Sequence, residues 1–135
     1  MASFNKFQPF VEAVAEKKHN LGSDTLVVAL SASAPTASWS QLSEVTQISH
    51  TNLSARTLTT SSSSQSSGTY KLVMNDLTLS ATGTVATFRY VIIYNDTATN
   101  DDLICYFDNG SNVDMINGDT FLIDFNGTEG LLQIA

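Results

Sequence analysis

Apolar and polar positions alternate along most of this chain with the two-residue period of extended strands. The pattern is organised around residues 85–107, which read VATFRYVIIYNDTATNDDLICYF. As a strand, Phe88, Tyr90, Ile92 and Tyr94 share one face, and Val91 and Ile93 take the other. A run apolar on both faces predicts a central strand covered on both sides. Residues 95–102 are polar except for Ala98, and the apolar run resumes at Leu103. This predicts a hairpin with a long polar loop at the middle of an all-β core.

Other segments fit the same frame. Residues 25–30 (TLVVAL) predict another strand with little polar relief. Tyr70, Leu72 and Met74 alternate with Lys71 and Val73, and Leu77 and Leu79 follow on the far side of Asn75-Asp76. Arg56 to Thr60 predicts a strand running into the polar tract 61–68. Low-complexity polar sequence predicts a loop there, with an extended edge as the alternative. Thr82-Gly83 predicts a turn. Three Asn-Gly pairs, at 109–110, 117–118 and 126–127, are strong hairpin signals. Phe121, Ile123 and Phe125 alternate between the last two pairs, and Leu131, Leu132 and Ile134 close the chain as a final strand.

One segment has helical period. Phe7, Phe10 or Val11, Val14, Ala15 and Lys18 form a stripe over residues 7–20. Pro9 suits a first turn, Glu12 precedes Lys17, Lys18 and His19 as the helix dipole favours, and Gly22 suits a stop. The elements sum to an all-β fold, mainly an antiparallel β-sandwich with the jelly roll as one form of it, carrying one short N-terminal α-helix. At 135 residues it is read as a single domain, 1–135, with an arm and helix over 1–22.

Composition narrows the partners. Lys and Arg number six against thirteen Asp and Glu, and the net charge is −7. Every Lys and Arg lies before position 90, and eight carboxylates follow it. Nucleic-acid binding requires cations that displace counterions from phosphate, and anionic membranes require the same, so neither is expected as a partner. No apolar run approaches a membrane span. The N-terminal residues lack an apolar signal core, and the lone Cys105 has no disulfide partner, which together predict folding in a reducing cytosol.

Candidate chemistry is sparse. Asp96, Asp101 and Asp102 share one loop, and Asp124, Asn126 and Glu129 supply oxygen donors of the kind calcium takes. The D-x-[DN]-x-[DN]-G-x₅-E spacing of a calcium loop is not met, and Asp and Asn favour turns for their own backbone hydrogen bonds. His19 and His50 stand 31 residues apart, outside metal-ligand spacing. Cys105 on an apolar strand reads as a core residue. No catalytic residue, metal ligand or cofactor is assigned from the sequence.

Three stretches carry a resemblance that spans most of the chain: FVEAVAEKKHNLGSDTLVVALSASAP, TSSSSQSSGTYKLVMNDLTLSATGTVATFRYVIIYND and NGDTFLIDFNGTEGLLQIA. In these the chain resembles small virion structural proteins of tailed bacteriophages. The resemblance implies a non-enzymatic structural protein, made in the host bacterial cytoplasm and placed on the virion. By analogy with phage cement proteins of this size, it implies a decoration protein on the capsid surface. Its partners would be the major capsid protein and copies of itself, as trimer or dimer. Alternatives are a tail or head-tail adaptor component, and a displayed glycan- or calcium-binding module. Phe4 and Phe7 near the N-terminus and Trp39 in a loop are the expected partner contacts, with burial in the monomer as the competing role for each.

Overall fold

The computed structural model describes residues 2–135. Strands β1 (Phe4–Lys6), β2 (Leu26–Ser31), β6 (Val85–Asn95) and β7 (Leu103–Met115) form one antiparallel sheet in the order β1-β7-β6-β2. Opposite it lie two smaller sheets. Strands β3 (Thr60–Ser66), β4 (Thr69–Met74) and β9 (Leu132–Ile134) pair in the order β3-β4-β9, and β5 (Leu77–Ser80) pairs with β8 (Thr120–Ile123). The result is a β-sandwich with one continuous layer and one split layer, unlike the paired four-stranded sheets of a jelly roll.

The main core fills the space between the layers. Val28, Leu30, Phe88, Val91, Ile93 and Ile104 of the large sheet meet Leu72, Met74, Leu79, Ile123 and Leu132 of the split layer. A second, smaller core lies on the outer face of the large sheet. There Phe7, Val27, Ala29, Ile92, Tyr94 and Leu103 are covered by Val45, Trp39 and Leu42 from the segment between β2 and β3. Both faces of the sheet are therefore buried, which is why β2 is apolar from Leu26 to Leu30 and buried at every position.

The hairpin β6–β7 is central, as its pattern predicts, but its phase changes along the strand. Phe88 packs in the main core while Tyr90, Ile92 and Tyr94 face the second core. The pairing slips between Phe88↔Val113 and Tyr90↔Asp108, so β7 holds extra residues there and Arg89 absorbs the change of face. Asn109-Gly110 lies in this irregularity, with Gly110 at φ 87°, and is a bulge within β7 instead of a hairpin turn. Asn117-Gly118 does connect β7 to β8.

Three other expectations need correction. The helix (α1) spans Phe10–Ala15 and not 7–20. Lys18 N–H bonds to Ala13 C=O and Lys17 N–H to Val14 C=O, while Lys17 takes φ 65°. This is a left-handed helix stop made by lysine where glycine is usual, so sequence gave no sign of it. The serine tract 61–68, read as a loop, is largely the edge strand β3, paired to β4 from Thr60 to Ser66. The strand expected over Arg56–Thr60 is reduced to a bridge, Val27↔Thr57, beside β2.

Candidate functional site

The two outer edges of the large sheet are treated differently, and the contrast locates the site. In an antiparallel edge strand, alternate residues aim their N–H and C=O groups away from the sheet. On β2 these residues are Leu26, Val28 and Leu30, and five of their six N–H and C=O groups are met. Leu58 N–H bonds to Leu26 C=O, Val28 N–H bonds to Arg56 C=O, and the Arg56 guanidinium donates to Val28 C=O. Ile48 N–H bonds to Leu30 C=O, and Leu30 N–H donates to His50 Nε2 at 3.1 Å.

On β1 the covering stops early. Phe7 N–H bonds to Ile104 C=O, which makes Asn5 the hydrogen-bonded neighbour of Tyr106 and turns Phe4, Lys6 and Gln8 outward. Gln8 N–H is met by Ala37 C=O. Among the described residues no such partner faces Phe4 or Lys6. The same parity holds on β8: Ala81 N–H bonds to Asp119 C=O, so Phe121 and Ile123 exchange bonds with β5 and Leu122 faces away.

Between these two open edges the sandwich does not close. A groove of about 470 Å³ runs there, walled on one side by Val91, Phe107 and Phe4 and on the other by Phe121 to Phe125 and Leu131. Val91, Phe107 and Phe4 stand in register across β6, β7 and β1, so they form one apolar row. The Phe4 and Phe107 rings meet edge-on at 6.1 Å. Phe121 is held from behind by Phe88 at 5.2 Å. Phe4 and Leu122 remain 40% and 55% exposed. The far wall is anchored by Asp76 Oδ1, which accepts from Phe125 N–H, and by Asn126 Oδ1, which accepts from Thr128 and Glu129 N–H. Asp124, exposed, is the ionisable residue of the lining.

Of the expected contacts, only Phe4 belongs to this surface. Phe7 is fully buried, against Tyr106 at 5.1 Å, so it cannot meet a partner. Following directly on β1, with its N–H still bonded to Ile104 C=O, it passes under the covering segment, a position that helical periodicity does not show. Trp39 packs half-buried on the second core, away from the groove. Phe107 and Phe121 stand out in the sequence only as strand residues, and Leu122 is not singled out by it. Local period does not say which strand lacks a neighbour.

The titratable groups elsewhere are committed to structure. His19 is buried against Phe10, and Asn95 Nδ2 bridges His19 Nδ1 at 2.9 Å and Asp24 Oδ2 at 2.6 Å. Asn95 Oδ1 accepts from Thr97 and Ala98 N–H, which orients the amide so that His19 Nδ1 accepts and its proton sits on Nε2. Desolvation holds the His19 pKa below the usual imidazole range, partly opposed by Asp102 and Asp24. Asn95 and Asp102 are buried, so the base of the β6–β7 loop is pinned while its tip is exposed. Asp102, Glu12, Lys18 and Ser40 also line a small cleft of about 200 Å³. Burial pushes the Cys105 thiol far up. Glu129, drawn into the calcium-like sequence, instead meets Lys71 Nζ at 3.3 Å and Gln133. Among the described residues no three His, Cys, Asp or Glu side chains converge in a metal-binding group.

No protein-family model, curated protein or solved structure matches the chain.

Proposed function

We propose that this chain is a non-enzymatic structural protein of a bacteriophage virion, a decoration or cement protein bound to the capsid exterior. Its partners are the major capsid protein and copies of itself set around a local three-fold or two-fold axis. The resemblance in its sequence suggests the virion. The observation that carries the reading is the open sandwich edge, where an apolar groove lies between two unpaired strand edges. Contiguous exposed apolar surface of this kind marks an interaction site.

The rest of the molecule suits a part that is held in place. The reactive groups are used internally: Cys105 in the core, His50 on the β2 edge, His19 beneath Asn95. Many copies on a symmetric shell reinforce one another, so each contact can be modest. Cryo-electron microscopy of the particle tests the proposal. Density for this fold repeated over the capsid lattice is the expected result. Density confined to the tail or the head-tail junction refutes the decoration role and favours the adaptor.

A further inference from the structure

We infer that the groove between β1 and β8 takes one extended, apolar strand from a different protein, which pairs with the free edge of β1 and places a basic side chain at Asp124. The inference rests on the reading above, and on it the donor of the strand is the capsid shell subunit.

The strand geometry follows from the row Val91–Phe107–Phe4. Each member belongs to the next strand of the sheet, and the row ends at Phe4 because β1 is the last strand. A strand laid beside β1 would set a fourth side chain next to Phe4, over the gap that Phe121, Ile123 and Phe125 face from the other layer. Its backbone would meet the outward N–H and C=O of Phe4 and Lys6, just as Arg56, Leu58 and Ile48 meet those of β2. This is strand addition, in which the main chain supplies affinity and alternate side chains fill the groove. The short β1 limits the pairing to a few residues, so side-chain burial against Phe4, Phe107 and Leu122 carries the specificity.

The charge argues for a different protein over a second copy. Asp124 is exposed on the rim and enters neither of the ion pairs, Lys71–Glu129 and Arg89–Asp108. Asp114 on β7, Asp119 in the turn to β8 and Asp124 at the end of β8 all lie outside both ion pairs, so this side of the molecule carries uncompensated negative charge. A second copy brings a net charge of −7 to that surface and is repelled. A neutral or basic strand is drawn in.

Two measurements test this. The first titrates the isotope-labelled full chain with eight-residue peptides of alternating Val-Lys, Val-Ser and Val-Glu, followed by amide chemical shifts. The Val-Lys peptide should move Phe4–Lys6 and the 121–126 amides and bind more tightly than Val-Glu. Asp124→Asn should shrink that preference about two- to fivefold. Phe4→Ser and Leu122→Ser, both at exposed positions, should each abolish the shifts while leaving the remaining amide spectrum in place. Equal affinity for the two charged peptides, shifts confined to other surfaces, or no binding at millimolar peptide overturns the inference. So does a concentration-dependent dimer that maps to the groove. The second compares amide exchange at Phe4 and Lys6 in free and particle-bound protein. Protection on the particle is expected. Capsid-bound protein with those amides unprotected overturns the strand addition and leaves the decoration role standing, whereas absence from the capsid refutes the role and leaves the peptide result to decide the groove.

Discussion

His50 offers a direct test of how the β2 edge is held. Its Nε2 accepts the Leu30 N–H at 3.1 Å, filling the place where a neighbouring strand would put a carbonyl. Only the neutral ring can do this, because protonation removes the lone pair. Partial burial, with the Arg56 charge nearby, pushes the His50 pKa down to about 4 from 6.5. A folded-state pKa below the unfolded one means that the unfolded chain binds the proton first. The stabilisation is therefore fully present above pH 6.5, falls as pH drops through the window, and is gone below about pH 4. That lowering, from 6.5 to about 4, corresponds to roughly 3.4 kcal/mol at about 1.36 kcal/mol for each tenfold change in proton affinity. The ring is only partly buried, so solvent screening and relaxation reduce this to about 1–2 kcal/mol. The assay is urea unfolding of the native chain and His50→Gln at pH 7.5, 5.5 and 4.5. Glutamine retains an acceptor oxygen but does not titrate. His19 and the carboxylates are common to both proteins, so they cancel in the difference. The native chain should lose about 1–2 kcal/mol relative to the variant across that range. A difference independent of pH would refute the reasoning, since the hydrogen bond would then not depend on the proton.

Other perturbations read the remaining features. Lys17→Gly should stabilise by about 0.5–1 kcal/mol in urea melts, because the left-handed φ of 65° strains lysine more than glycine. Gly68→Ala and Gly130→Ala separate strain from collision: both have positive φ, but only at Gly130 would a Cβ lie 2.5 Å from a backbone oxygen, that of Leu72. Gly68→Ala should cost about 1 kcal/mol and Gly130→Ala about twice that or more, and equal costs would show that the far wall of the groove yields freely. Asn95→Leu leaves His19, Asp24 and two loop N–H groups without their partner and should cost about 2–4 kcal/mol, with faster amide exchange at Thr97 and Ala98. Phe88→Ala opens the main core behind Phe121 and should cost about 3–5 kcal/mol by thermal or urea unfolding.

Much of the fold was legible because it depends on local period. Alternation identified β4, β5, β6 and β8, an apolar run marked the first part of β7, and continuous apolar character marked β2 and β6 as doubly covered. The candidate groove was legible only in its parts: Phe4 as a candidate contact, and Phe121, Ile123 and Phe125 as one face. Of the two roles open to Phe7, burial is the one found, because a residue just past a strand and beneath a covering loop looks like a helix residue over so few positions. The serine tract gave no apolar alternation because β3 is an edge with little burial on either face.

By itself, then, the sequence determined an antiparallel all-β body, its strand periods, its acidic C-terminal third and its lack of basic residues there. These follow from side-chain chemistry at neighbouring positions. The tertiary structure alone decided where the phase of β6 shifts, where α1 stops, and which edges are covered. Those outcomes rest on contacts between residues far apart in the chain: Leu30 with His50, Val28 with Arg56, Asn95 with His19 and Asp24. Whether an edge strand finds a partner is set by where distant loops land. The same backbone chemistry that closes β2 leaves β1 open beside Phe4, and no local pattern distinguishes the two.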